Sequence, residues 1–234
     1  MAVVTLDSTV YFRGGNKNNH YSTNSYYTNN FYKAKFHDTI QSGDEIVDIS
    51  SGNHFTMIVT KKGELMGSGD YYMELVFNKK HDGEAGFKKF PLEEGHKALR
   101  VWSSKEKYSK CFIAEIQNGS NRYLAGFGSH LSGLLGPSEE MKTLKALDYD
   151  YENIRFEKVS VFTNHAFAVT DKGQLYGWGS NLGQRLGLDE SNPLVYKPTL
   201  IPFFSDVSKI KVLDVTVGDD HGFVHVEETD PING

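Results

Sequence analysis

One pattern recurs at a nearly fixed interval along this chain, and it confines the fold to a small set of repeat architectures. It is clearest in residues 162–187, FTNHAFAVTDKGQLYGWGSNLGQRLG. Residues 166–170 are a short apolar run, Asp171-Lys172-Gly173 is a turn signal, and 174–178 is a second run rich in large side chains. The pair reads as a β-hairpin. The Gly-Ser-Asn-Leu-Gly-Gln that follows ends the second strand in a tight loop, because its glycines reach backbone angles that a side chain forbids. The template returns in residues 5–18, which match 170–183 with Gly14 in the place of Gly179, and in residues 52–69, where Thr60, Gly63 and Gly69 fall on Thr170, Gly173 and Gly179. A third copy, 126–136, has Phe127 in the place of Trp178 and Leu135-Gly136 in that of Leu186-Gly187. A partial copy, 215–226, carries the glycine and histidine that precede the hairpin. Gly14, Gly69, Gly128 and Gly179 stand 55, 59 and 51 residues apart. A period of that size predicts one four-stranded propeller blade per repeat.

The full pattern is a strand ending in Gly-x-x-His, an apolar strand ending in Thr, and then x-x-Gly-x-Leu-Tyr-x-Trp-Gly-x-Asn-x-x-Gly-Gln-x-Leu-Gly. It resembles the repeat of the regulator of chromosome condensation family. The match is strong in 177–187 and adequate in 52–69. In the first copy Arg13 stands at the tryptophan position with no Gln-x-Leu-Gly after it, and in the third, residues 105–117 blur the first hairpin strand. The resemblance implies an all-β chain folded as a β-propeller. Full-length members usually build seven blades, whereas this chain has material for about four, so a partial or unusually small ring is expected. The residues that carry the repeat are Gly14, Gly52, Gly63, Gly69, Gly128, Gly136, His165, Gly173, Trp178, Gly179, Gly187, Gly218 and His221, with Trp178 and Phe127 packed between blades.

Laid along the chain, the repeats place blade-like units at about 46–97, 98–153 and 154–212, with 213–226 and 2–45 as the two parts of a split blade and 227–234 as a polar tail. The two ends complement each other but also overlap, since 223–226 and 2–5 both match the 166–170 strand. The ends therefore either pair to seal a small ring or leave an open arc that needs a second copy or another protein, and the redundancy favours the arc. Residues 16–36, with six asparagines and four tyrosines, read as a long loop, either solvated or an aromatic contact surface. Residues 70–91 read as a polar loop whose lysines are interspersed with acids. The spacing of Glu139, Glu140, Met141, Leu144 and Leu147 predicts one or two helical turns within 137–150.

The remaining features exclude more than they assign. A formal charge of −5 opposes broad nucleic-acid binding, which draws on a positive field. The single cysteine, Cys111, excludes an intrachain disulfide and a thiolate metal site and reads as a buried strand residue. No stretch is long and apolar enough to span a bilayer, and the N-terminus enters a strand rather than a signal peptide, so the expected place is intracellular, cytoplasmic rather than nuclear. Gly177-x-Gly179-x-x-x-Gly183 has the wrong spacing for a dinucleotide loop and recurs once per repeat, which makes its glycines turn residues. His165 and His221 occupy one repeat position, with His54 one place out of register, so backbone bonding is the expected role rather than metal ligation. Asp219-Asp220-His221 has no partner nucleophile. No catalytic motif and no cofactor site is found, and the chain reads as a non-enzyme.

The function expected is a protein-binding scaffold within a larger complex, possessing neither cofactor nor metal. Two alternatives follow from the resemblance: a guanine-nucleotide exchange factor acting on a small Ran-type GTPase, and a recognition or regulatory part of a ubiquitin-ligase assembly. Contact with a partner is expected through repeat-end loops, at Asn181, Gln184 and Arg185, at His130, and at Tyr26, Tyr27 and Tyr32.

Overall fold

Strand β5 (Thr56–Thr60) is buried at every position, and so are β13 (His165–Thr170) and β14 (Leu175–Ser180). Because side chains alternate across a strand, a strand buried throughout must lie in a sheet covered on both faces. The computed structural model shows how. It describes residues 2–15, 27–34, 36, 38, 40, 44–52, 55–69, 72, 76–77, 86–104, 110–130, 132–138 and 140–228. Five antiparallel sheets follow one another along the chain, each a meander. Sheet one holds β1 (Ala2–Val4), β2 (Val10–Gly15) and β3 (Tyr27–Lys33). Sheet two holds β4 (Ile46–Ser51), β5, β6 (Leu65–Ser68) and β7 (Lys88–Lys89). Sheet three holds β8 (His96–Ser103), β9 (Lys110–Asn118), β10 (Asn121–Ser129) and β11 (Glu140–Ala146). Sheet four holds β12 (Phe156–Val161), β13, β14 and β15 (Leu194–Leu200), and sheet five holds β16 (Ile210–Val217) and β17 (Gly222–Glu228).

Four hydrophobic clusters fill the four gaps between consecutive sheets, and alternate residues of one strand feed different clusters. Met57 and Val59 face sheet three while Ile58 faces sheet one. On β9, Phe112, Ala114 and Ile116 face sheet two while Cys111 and Ile113 face sheet four. On β13, Ala166 and Ala168 face sheet three while Phe167 and Val169 face sheet five. Trp178 is fully buried between sheets three and four, stacked on Phe156, and its Nε1 donates to the Leu134 carbonyl at 2.9 Å. Phe127 lies in the gap between sheets two and three, in edge contact with Phe90.

Polar clasps fix the angle at which sheets meet. The hairpin-turn glycine of one sheet accepts from the first strand of the next, at Ala98 N to Gly63 O and Val212 N to Gly173 O, both 2.9 Å. In sheet one Ser8 holds the same position with φ +58 and accepts from Ile46 N through its Oγ. Asp48 accepts from Ile49 N in its own strand and from Val101 N in the next sheet, and burial raises its pKa. The repeat glycines near the ends of β10 and β14, Gly128 and Gly179, sit where no other residue fits. Gly179 has φ +98, and a Cβ there would lie 2.4 Å from the Asn164 carbonyl oxygen.

Three expectations are corrected. Residues 140–146 form strand β11 rather than helical turns; Met141 packs against the cluster between sheets three and four and Leu144 against that between sheets two and three, so their three-residue spacing is that of opposite faces of one strand and not of a helical period. Part of the expected loop 16–36 is strand β3, whose tyrosine-rich edge pairs with β2, and residues 16–26 lie outside the described residues. Part of the loop 70–91 is β7, which pairs with β6. Among the described residues β1–β3 and β16–β17 are separate sheets and no sheet closes, as in a partial propeller ring.

Replacing Trp178 by Ala is expected to destabilise the chain by about 3–5 kcal/mol, the range for a buried large aromatic, with Trp178→Phe costing less although it leaves the Leu134 carbonyl unpaired. Urea titrations of the two variants beside the parent check the order.

Candidate functional site

In a four-stranded meander, the loops after the first and third strands leave from one end of the sheet. Among the described residues singled out in the sequence, His130, Asn181, Gln184 and Arg185 fall on third-to-fourth-strand loops and Tyr27 at the margin of one, so these share one end of the arc, whereas Tyr32 lies further along β3 opposite Phe12. Tyr26 lies outside the described residues, Tyr27 opens β3, and Tyr32 is 43% exposed on that strand.

The loop of sheet four shows how this end is built. Asn181 is 2% exposed: its Nδ2 donates to the carbonyls of Leu188, Asp189 and Asn192, and its Oδ1 accepts from Leu186 N. One amide thus ties residues 181–192 into a closed loop, at a point where Gly183 and Gln184 both take left-handed backbone angles. Asn181 thus acts as an internal staple of the loop. His130 stands at the same repeat position in sheet three and is also 2% exposed, so it too is placed inside. Gln184 is exposed and donates to Glu190 Oε2 at 2.8 Å.

Arg185 is mostly buried and couples two sheets. Its Nε donates to the Leu182 carbonyl, Nη1 to Asn164 Oδ1 and to the Asp219 carbonyl, and Nη2 pairs with Asp220 Oδ1 at 3.0 Å. The Asp219-Asp220 pair noted in the sequence is thus the anchor of this arginine, helped by Thr163 Oγ1 donating to Asp219 Oδ1. Asn164 Oδ1 also receives His165 Nδ1 at 3.0 Å, which places the ring proton on Nδ1 and leaves Nε2 buried without a hydrogen bond. Burial first, and the neighbouring Arg185 charge second, lower the His165 pKa from 6.5 to about 4. The histidine is neutral and structural. His221, exposed at the matching position in sheet five, packs edge-on against Phe223.

Two features of this region escaped the sequence reading. Leu182 projects from the stapled loop at 58% exposure. Between β11 and β15 runs a groove of about 650 Å³, lined by Leu135, Met141, Leu188, Val195, Tyr196 and Leu200, with Asp148 and Lys197 paired at its rim. The Tyr196 ring rests on the backbone of Gly133, so the groove wall joins sheet four to the loop of sheet three. Neither was legible, since Leu182 is flanked by turn residues and the groove lies between strands 50 residues apart. Among the described residues no three His, Cys, Asp or Glu side chains gather as a metal site, and no helix is long and apolar enough to cross a membrane. The arrangement offers rigid loops and apolar surface, which suit binding.

Residues 172–224 match the family model described as the regulator of chromosome condensation (RCC1) repeat. The chain is 25% identical over 193 residues to the human E3 ubiquitin-protein ligase HERC2, which covers 81% of this chain and 4% of that protein. It spans 4–12% of the lengths of the curated relatives it matches. Among solved structures, human WBSCR16 superposes with a TM-score of 0.75 at 17% identity, covering 97% of this chain and 55% of the other. Prp20p from Saccharomyces cerevisiae, whose structure is described together with its binding to Gsp1p and histones, gives 0.74 at 16% identity, covering 98% and 54%.

Stability is expected to fall as pH drops from 6.5 toward 4. The unfolded chain takes up a proton at His165 below 6.5, whereas the folded chain resists it until about 4, so native stabilisation is complete above 6.5 and is lost through that window. The loss attributable to this residue is at most about 3 kcal/mol. Urea midpoints at the two ends of the window, for the parent and for His165→Gln, measure it: the variant loses the steeper part of the slope.

Proposed function

We propose that this arc of regulator of chromosome condensation repeats is a non-catalytic protein-binding scaffold, one part of a larger assembly. The observation that carries the reading is the stapled loop of sheet four. Asn181 and Arg185 hold it by side chain to backbone bonds, and it presents Leu182 and Gln184 to solvent on a backbone already ordered. A preorganised loop loses little conformational entropy when a partner docks, and an exposed leucine beside polar groups is a common composition for a contact centre. The groove between β11 and β15 extends the same surface with Tyr196 and Met141. Tyr27, which opens β3 opposite Gly15, belongs to the same end of the arc by topology, whereas Tyr32 lies further along the strand opposite Phe12.

A second reading is favoured by the relatives. HERC2 is by name a ubiquitin ligase, and a recognition or regulatory role in such an assembly is the form of scaffold that this likeness supports. A guanine-nucleotide exchange role rests on likeness to Prp20p, at an identity that speaks for fold alone.

Capture from cell extract with the parent chain, beside Leu182→Asp and Gln184→Ala, tests the scaffold reading. The aspartate variant is expected to lose a captured partner at least about tenfold with its melting unchanged, as for a contact worth roughly 1.4 kcal/mol or more. Retention of every partner by both variants overturns the loop as the docking surface. Accelerated nucleotide release from a Ran-type GTPase by the purified chain instead establishes the exchange reading.

A further inference from the structure

The gap between sheets two and three carries small residues where the next gap is packed with rings. By sequence repeat and ladder register, Ala125 stands where sheet four has Tyr176 and sheet two has Met66, and Ala98 stands where they have Phe156 and Ile46. In sheet four those two rings meet edge to face, 5.4 Å between centroids. Between sheets two and three, Phe90 enters part of the room that the alanines leave, in edge contact with Phe112 and Phe127. Beside it lies a pocket of about 280 Å³, whose walls include Phe90, Leu92, Tyr123, Ala125, Phe127 and Leu144. An apolar cavity of about 150 Å³ takes up benzene, whereas sites for drug-sized ligands begin at about 300 Å³ and run upward. The volume therefore suits one large side chain entering from outside.

The mouth of the pocket is acidic and aromatic. Glu93 stands at its rim with its side chain 85% exposed, and its ion partner is His96 at 4.0 Å, a group charged only when protonated. Glu94 follows it, also exposed. Lys142, the one lysine or arginine lining the pocket among the described residues, is paired with Glu140 at 3.6 Å. Tyr123 forms one wall, and Tyr151, 36% exposed, lies against it with ring centroids 5.4 Å apart, so the aromatic surface continues out of the pocket to solvent. Asp150 and Glu152 flank Tyr151, both exposed. Burial first, and then the Glu93 charge and Tyr151, raise the Tyr123 pKa.

We propose that this pocket receives an extended segment of a partner protein in which a large apolar side chain is followed two residues later by arginine. The apolar side chain fills the pocket, and the guanidinium lies at its mouth beside Tyr123 and Tyr151, against Glu93. Side chains two positions apart in an extended chain point to one side, so both can reach this surface at once. Charge selects the occupant: a cation here meets a carboxylate and aromatic rings, which attract it together, whereas an acidic segment meets Glu93, Glu94, Asp150 and Glu152. The pocket shares no lining residue with the groove between β11 and β15, and none with the stapled loop of sheet four. It stands or falls apart from the docking surface proposed above.

Titration of the purified chain with the peptide acetyl-Phe-Ala-Arg-amide, followed through the backbone amide resonances of Leu92, Glu93, Tyr123 and Leu144, tests the docking. Saturable shifts are expected there at millimolar peptide. Acetyl-Phe-Ala-Glu-amide, which reverses the charge, and acetyl-Ala-Ala-Arg-amide, which lacks the anchor, are each expected to bind at least about threefold more weakly. Ala125→Met puts the sheet-two side chain on the pocket floor and is expected to abolish the shifts. Glu93→Gln changes an exposed side chain and is expected to narrow the gap between the arginine and glutamate peptides by about threefold, so it decides the matter if Ala125→Met does not fold. No saturable shift at these four residues, shifts confined to the groove at Tyr196, equal affinity for the arginine and glutamate peptides, or undiminished binding by Ala125→Met overturns the proposal. Phenol binding as tightly as the arginine peptide marks a small-molecule pocket and overturns it too.

Discussion

Burial of each sheet on both faces is the constraint on which the rest of this structure depends. A strand such as Thr56–Thr60 has no polar face to give to water, so sheet two is unstable without sheets one and three against it. The four clusters are nearest-neighbour interfaces, and stability is distributed along the arc as a sum of such terms. Since side chain alternation assigns each residue to one interface, a substitution on β13 perturbs sheet three or sheet five according to its parity: Ala168 lies in the cluster with Ile113 of sheet three, Phe167 against Gly222 of sheet five.

Much of the fold was legible because the repeat writes its turns in glycine. Gly63, Gly173, Gly128 and Gly179 occupy positive φ at positions where the hairpin or the close approach of a neighbouring backbone demands it, and that demand recurs with the period. Legibility failed where the demand relaxes. Ser8 meets the turn's requirement without glycine, so the first hairpin shows a weaker signal. Outer strands such as β11 are only partly covered, and Met141 and Leu144, which pack on opposite faces with exposed residues between them, stand at an interval that mimics a helical spacing. The candidate site was half legible for a related reason. The sequence located the loops, but a polar residue that staples a loop and one that faces a partner look alike: Asn181 proved to be the former, and Gln184 is exposed.

The same end of the arc combines order with exposure. Arg185 draws the sheet-four loop onto residues 219 and 220, and Ser104 Oγ donates to the Thr163 carbonyl, joining the first-to-second-strand loops of sheets three and four. These bonds run across sheets rather than within them, so the loops move with the core and not independently of it. A partner docking here would meet a surface already formed.

Sheet five shows what an end of such an arc requires. Two strands alone are marginal in water, and β16 is held by Val212 N on the Gly173 carbonyl, by Val212 and Val215 in the cluster with sheet four, and by Arg185 reaching its loop. All of these lie on one side. On the other side Asp214 keeps the bond that Asp48 makes within its own strand, to the next residue's amide, but not the second bond that Asp48 sends to Val101 of the following sheet. The sheet is therefore anchored through half of its repeat's contacts, and the residues that would make the other half, Phe223 and Leu213 among them, are left in water.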